Sequence, residues 1–156
     1  MAVNGLSAEH LHLEITESAI MCSPEVATGT LLALRGLGID VHLDDFGTGY
    51  SSLSYLQRFP VDVLKIDRSF ISTPGAGVGN PEIVQTITSL AQSLGLKTTA
   101  EGVETREQLD RLRAMGCTHA QGYLFARPLT ATDAGDFIEN WSPEAMRLSP
   151  AVASAA

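Results

Sequence analysis

Basic residues are scarce. The 156-residue chain carries 10 Lys and Arg against 18 Asp and Glu, a net charge of -8 and an isoelectric point near 4.8. No basic face is therefore available to grip a phosphate backbone directly, although divalent cations can bridge an acidic protein to a phosphate ligand. Long apolar runs are also missing: none approaches the ~18 residues needed to cross a bilayer. The opening MAVNGLSAEH lacks the basic-then-apolar layout of a signal peptide. Cysteine is limited to Cys22 and Cys117, which sit in no CxxC or Cys/His cluster and read as reduced thiols. These absences lead us to expect a soluble cytoplasmic protein, or a soluble piece of a longer one. What is present is a 44% hydrophobic composition, enough for one globular domain with a real core.

Short apolar stretches alternate with helical patterns. Strands are expected at 11–15, 39–44, 61–66, 97–101 and 118–123. Ser23-Pro24-Glu25 opens a helix that ends near Gly36 or Gly38, and Asn80-Pro81-Glu82 opens another that stops at Gly95. Thr105 to Gln108 fits a capping box before a helix ending at Gly116. A short helix is expected after Ser51 and one more over 132–141, with 142–156 as a flexible tail. Strand–helix units in a row imply parallel strands with crossover helices, hence an α/β class. A doubly wound sheet and a (β/α) barrel share that pattern. A whole (β/α)8 barrel needs ~250 residues, so this chain holds about five of eight units.

Parity sorts each strand into two faces. Leu11, Leu13 and Ile15 oppose His12 and Glu14; Ile39, Val41 and Leu43 oppose Asp40, His42 and Asp44; Leu64 and Ile66 oppose Lys65 and Asp67; Lys97, Thr99 and Glu101 share a face. Most strands thus carry an apolar face suited to packing helices and a face that turns polar toward its C-terminal end. Parallel sheets have both faces covered, so such charges need partners rather than open solvent. Strand C-termini are also where α/β enzymes place their chemistry.

Glu14, the adjacent pair Asp44 and Asp45, and Glu101 face little positive charge except Lys65. That pattern suits a divalent-cation site. With no Cys or His ligand set in view, hard oxygen donors favour Mg²⁺ or Mn²⁺ over zinc. Two such ions ~4 Å apart can clamp a phosphoryl group, which gives adjacent aspartates a use. His12 and His42 face the same way by parity and read as polar fillers. Glu17 is balanced between a solvated first-turn residue and a buried role.

LEITES at 13–18, DDFGTGYSSLSYL at 44–56, VDVLKIDRSFI at 61–71, AEGVET at 100–105 and QGYLFARPL at 121–129 together resemble the EAL domain family. Their order and spacing cover the chain from about residue 8 to 141. The resemblance implies a partial (β/α)8 TIM-type barrel and a cyclic di-GMP phosphodiesterase using two Mg²⁺ or Mn²⁺ ions, with linear pGpG as product. It implies metal binding by Glu14, Asp44, Asp45 and Glu101. Lys65 would help orient the attacking water, Glu101 would act as general base or metal-site acid, and Gln121 would contact that water. Glu17 would steady the loop Phe46-Gly47-Thr48-Gly49-Tyr50-Ser51, which couples substrate and metal binding to dimerisation. Asp67, Glu104, Arg127 and Pro128 would shape the site. A homodimer and an upstream sensor or GGDEF domain are the partners implied beside cyclic di-GMP.

The pattern departs from the family in one respect. No Glu-Ala-Leu tripeptide occurs, only 13 residues precede Glu14, and Asn4 lies too close to Glu14 to be the family's Asn ligand. The unmatched part corresponds to about three strand–helix units. We therefore expect residues 1–141 to be a truncated domain, open along one side and weakly active or inactive alone. A degenerate module that binds the nucleotide or a protein without cleaving it is the alternative, and a metal-free dimerisation domain a third.

Overall fold

The computed structural model describes residues 5–49, 53–72 and 79–141, the side chains of Leu53 and Ser54 excepted. Tyr50, Ser51 and the expected tail at 142–156 lie outside the described residues. Among the described residues five strands are present: β1 (His12–Thr16), β2 (Asp40–Phe46), β3 (Val63–Ile66), β4 (Lys97–Ala100) and β5 (His119–Ala120). The helices are α1 (Glu17–Met21), α2 (Pro24–Gly36), α3 (Leu53–Leu56), α4 (Arg68–Ile71), α5 (Pro81–Ser93), α6 (Arg106–Ala114) and α7 (Ala131–Asn140), after a 3-10 turn at Ala8–His10.

Local chemistry accounts for most helix boundaries. Pro81 sits in the first turn of α5 and Asn80 caps it by accepting from Ile83 N at 3.4 Å. The box expected at Thr105 is formed: its hydroxyl accepts from Gln108 N, while Gln108 Oε1 accepts from Thr105 N. Ser23 opens α2 by position only; its side chain makes no capping bond, and its carbonyl alone receives Ala27 N at 2.9 Å. Two short helices were not expected. Thr16 caps α1 through Ala19 N, and Asp67 caps α4 through Ser69 N. The fifth strand is shorter than the expected 118–123, because Gln121 and Gly122 turn away to meet the loop after β4.

The sheet is parallel throughout, with strands in the order β1-β2-β3-β4-β5. A doubly wound sheet reverses its strand order at a switch point; here every neighbour in space is the next strand in sequence. That ordering is the wall of a (β/α) barrel, open between β5 and β1. The apolar parity set of each strand packs under the helices. Val41, Leu43, Leu64 and Ile66 join Val84, Ile87 and Ala91 of α5 and Leu109 and Leu112 of α6 in one core. Leu64 and Ile66 are wholly buried, each contributing roughly 1.5–3 kcal/mol. The opposite face carries the polar set.

Candidate active site

The polar face converges on one ammonium. Lys65, on the central strand β3, is 4% exposed. Its Nζ lies 2.7 Å from Glu14 Oε1, 3.0 Å from Asp44 Oδ1 and 2.6 Å from Glu101 Oε1. The first two acids come from β1 and β2, and Glu101 follows β4 directly. Burial alone would lower the Lys65 pKa, but the close carboxylates of Glu101, Glu14 and Asp44 outweigh it and hold the group above the ordinary lysine value. Glu101 moves the other way from most paired acids. Its burial raises its pKa, Lys65 opposes that, and the charges of Asp44 and Glu14 add to the rise.

Register explains why adjacent aspartates do different things. The β2–β3 pairing shifts between Leu43 and Phe46, a bulge-type irregularity that re-aims side chains. Asp44 remains on the inner face beside Lys65. Asp45 adopts a left-handed backbone, φ 56°, and is exposed; its carbonyl accepts from Thr48 Oγ1 at 2.9 Å and from Thr48 N at 3.3 Å. Phe46 turns back into the core at 5% exposure, so it anchors the loop from beneath.

Glu17 is buried, 5% exposed, not solvated. Its Oε2 accepts from Gly47 N at 3.4 Å. A Cβ at Gly49 would approach Glu17 Oε1 to 2.8 Å, and Gly47 combines φ 95° with Phe70 and Ile87 close by. The backbone at Gly47 thus needs glycine, and a side chain at Gly49 would have to displace the Glu17 carboxylate.

A second layer holds Glu101. The Nε2 of Gln121 donates to Glu101 Oε1 at 2.8 Å. Gln121 is carried there by backbone pairing: Gln121 N donates to Ala100 O at 2.8 Å and Val103 N donates to Gln121 O at 3.0 Å. Gly122 makes this approach possible, since a Cβ would overlap Val103 N and O. Gln108, buried, steadies the same loop: its Oε1 accepts from Glu104 N at 2.8 Å and its Nε2 donates to Ile71 O at 3.3 Å. Sequence reasoning gave Gln108 only its capping role.

The remaining expected residues are more peripheral. Asp67 is taken up as the cap of α4, its Oδ1 accepting from Ser69 N at 2.9 Å. Glu104, Thr48, Arg127 and Pro128 are exposed, and the Arg127 guanidinium lies 4.8 Å over the Tyr123 ring. Sequence showed no histidine ligand set, but the structure brings two histidines and an aspartate together. His12, Asp40 and His42 bring three donor atoms within 4.8 Å of one another, because register places His12 opposite Asp40 and parity aligns His42 with both.

The donor set around Lys65 fits divalent cations. Asp44 Oδ1 is buried and, although 3.0 Å from Lys65 Nζ, receives no well-directed hydrogen bond. A buried carboxylate oxygen without a directed donor, flanked by Glu14 and Glu101, is the kind of hard oxygen that Mg²⁺ or Mn²⁺ takes.

Comparison with known proteins agrees with this geometry. The cyclic di-GMP phosphodiesterase NbdA of Pseudomonas aeruginosa is 50% identical over 134 residues, 86% of this chain but 17% of NbdA. The solved structure of the Pseudomonas aeruginosa MucR phosphodiesterase in complex with cyclic di-GMP superposes with a TM-score of 0.80 at 42% identity, covering 85% of this chain and 54% of that one. A manganese and cyclic di-GMP complex of Klebsiella pneumoniae BlrP1 has a TM-score of 0.72 at 35% identity, covering 81% and 32% respectively. The chain thus spans about a fifth or less of the length of its curated relatives. The sequence model of the EAL domain matches residues 2–128, and the chain belongs to the EAL domain family.

Proposed function

We propose that this chain contributes the catalytic wall of a cyclic di-GMP phosphodiesterase, hydrolysing the cyclic dinucleotide to linear pGpG. The observation that carries the reading is the convergence of Glu14, Asp44 and Glu101 on Lys65, with Gln121 closing on Glu101. Its relatives' names and complexes with cyclic di-GMP support the substrate, and the manganese complex of BlrP1 supports a divalent cofactor. Glu14, Asp44, Asp45 and Glu101 would hold Mg²⁺ or Mn²⁺, which when bound supply Lewis-acid polarisation of the phosphoryl group and a more acidic water.

The chain's own residues do the positioning. Lys65, kept charged by its three partners, offsets negative charge that builds on the phosphoryl oxygens during in-line attack. Glu101, with its pKa raised, is a better proton acceptor than an ordinary surface carboxylate. Gln121 fixes which oxygen of Glu101 points toward Lys65, and Glu17 fixes the Gly47–Gly49 loop beside Asp45. Residues 1–141 form the domain portion in this reading, completed by preceding strand–helix units or by a second copy along the open side. No described helix is long and apolar enough to cross a membrane, and a cytoplasmic setting with an upstream sensor or GGDEF domain fits the multidomain relatives.

The test is hydrolysis of cyclic di-GMP with Mg²⁺ or Mn²⁺, by the chain alone and by a version extended at the N-terminus by about three strand–helix units. The extended protein is expected to release pGpG, and Glu101→Gln to lower turnover at least ~100-fold. An extended protein that binds cyclic di-GMP without turnover would replace this reading with the binding-module alternative.

A further inference from the structure

Away from Lys65, the same sheet face holds a group of different chemistry. His12 opens β1 and Asp40 opens β2, and the two are register partners in the parallel ladder. His42 lies two residues further along β2, on the same face as Asp40. The His12 Nδ1 to Asp40 Oδ2 distance is 3.7 Å, and the two imidazole rings are 4.9 Å apart between centroids at 32°. All three donor atoms fall within 4.8 Å of one another. Because the strands fix the three Cα positions, this spacing belongs to the fold and not to a loop.

We propose that His12, Asp40 and His42 form a transition-metal site of the zinc class, separate from the acidic site at Lys65. Two donors on one tetrahedral zinc stand about 3.4 Å apart, from a Zn–N or Zn–O length near 2.1 Å. The His12–Asp40 pair is already close to that spacing, and modest rotamer adjustment brings in His42. Two imidazoles and one carboxylate select Zn²⁺, Co²⁺, Ni²⁺ or Cu²⁺ over Mg²⁺, whereas the all-carboxylate donors near Lys65 have the opposite preference. Three protein ligands leave a fourth position for water, and the half-exposed His12 and Asp40 side chains give an entry path. The ion would fasten β1, an edge strand, to β2. Two residues of strand separate His12 from Glu14, about 7 Å, so zinc here would sit near the acidic site without sharing a ligand with it.

The experiment uses the purified, metal-free chain titrated with Co²⁺ and followed by visible absorption, then displaced with Zn²⁺. One equivalent of Co²⁺ with the intense spectrum of a four-coordinate ion is expected, displaced by Zn²⁺ and unaffected by excess Mg²⁺. His12→Ala and His42→Ala should each weaken Zn²⁺ binding at least ~10-fold and abolish its effect on melting temperature, while Asp44→Asn and Glu101→Gln leave both unchanged. His42→Gln, read beside far-ultraviolet circular dichroism, guards against a folding defect at the half-buried position, and the exposed His12 gives an independent reading. Zn²⁺ affinity that survives both histidine substitutions overturns the proposal. So does affinity that is lost in Asp44→Asn, which would assign the ion to the acidic site.

Discussion

One oxygen of Glu101 serves two masters: Oε1 stands 2.6 Å from Lys65 Nζ and 2.8 Å from Gln121 Nε2. The ends of β3 and β4 and the residue after β5 are therefore tied at a single atom. Lys65 is the common counter-charge for Glu14, Asp44 and Glu101. Removing one partner of a buried ion group leaves the rest uncompensated. Lys65→Met is expected to cost on the order of 2–4 kcal/mol in urea unfolding without added metal. Excess Mg²⁺ should recover part of that loss in the variant and less in the parent. Equal Mg²⁺ effects on the two proteins would contradict this account of the cluster.

Gly122→Ala tests the second layer. The new methyl overlaps the Val103 backbone, so the β4 and β5 loops must separate and Gln121 must leave Glu101. We expect a loss of roughly 2 kcal/mol or more. The Val103 amide, which donates to Gln121 O at 3.0 Å, should lose protection from hydrogen exchange. An unchanged exchange rate would show that the bond survives and that the loops do not part.

Glu17→Ala is predicted to remove the acceptor for Gly47 N and cost about 1–3 kcal/mol. The Gly47 amide should exchange faster while amides of α5 stay protected. Glu17→Gln keeps an acceptor and should fall between parent and Ala.

Asp67 supplies a pH dependence. Burial pushes its pKa up, but hydrogen bonds from Ser69 and the Arg68 backbone, with the Arg68 charge, bring it below the ordinary aspartate value. The folded state thus binds its proton less readily than the unfolded one. This stabilisation is complete above the ordinary aspartate range and is lost as pH falls through the lowered folded value. Asp67→Asn should flatten the acid limb of the stability profile. Asp67→Ala should cost about 1 kcal/mol at neutral pH through loss of the α4 cap.

Much of the fold was legible because period and punctuation are local. The alternation of Leu13 and Ile15 with His12 and Glu14 fixed a face, and Asn80-Pro81 and Thr105–Gln108 marked helix starts that the structure contains. The helices α1 and α4 are too short to show a helical period, so only their caps, Thr16 and Asp67, could have announced them. What sequence could not supply is register. Glu17 meets Gly47 across 30 residues, and its burial depends on that meeting. His12 and His42 looked like separate fillers until pairing placed both beside Asp40. The inward direction of Glu14, Asp44 and Lys65 was readable from parity, but not that a single ammonium would touch three carboxylates.

The consecutive strand order carries a consequence for how the chain is made. Each strand hydrogen-bonds to the one synthesised just before it, so a strand leaving the ribosome meets a partner already in place. The sheet can grow one unit at a time in the direction of translation, with short loop closures at every step. Growth of this kind needs no later segment to return and insert between earlier ones. Each of β2 to β5 is laid down on the strand before it, so a change in one strand is passed on to the placement of every later one.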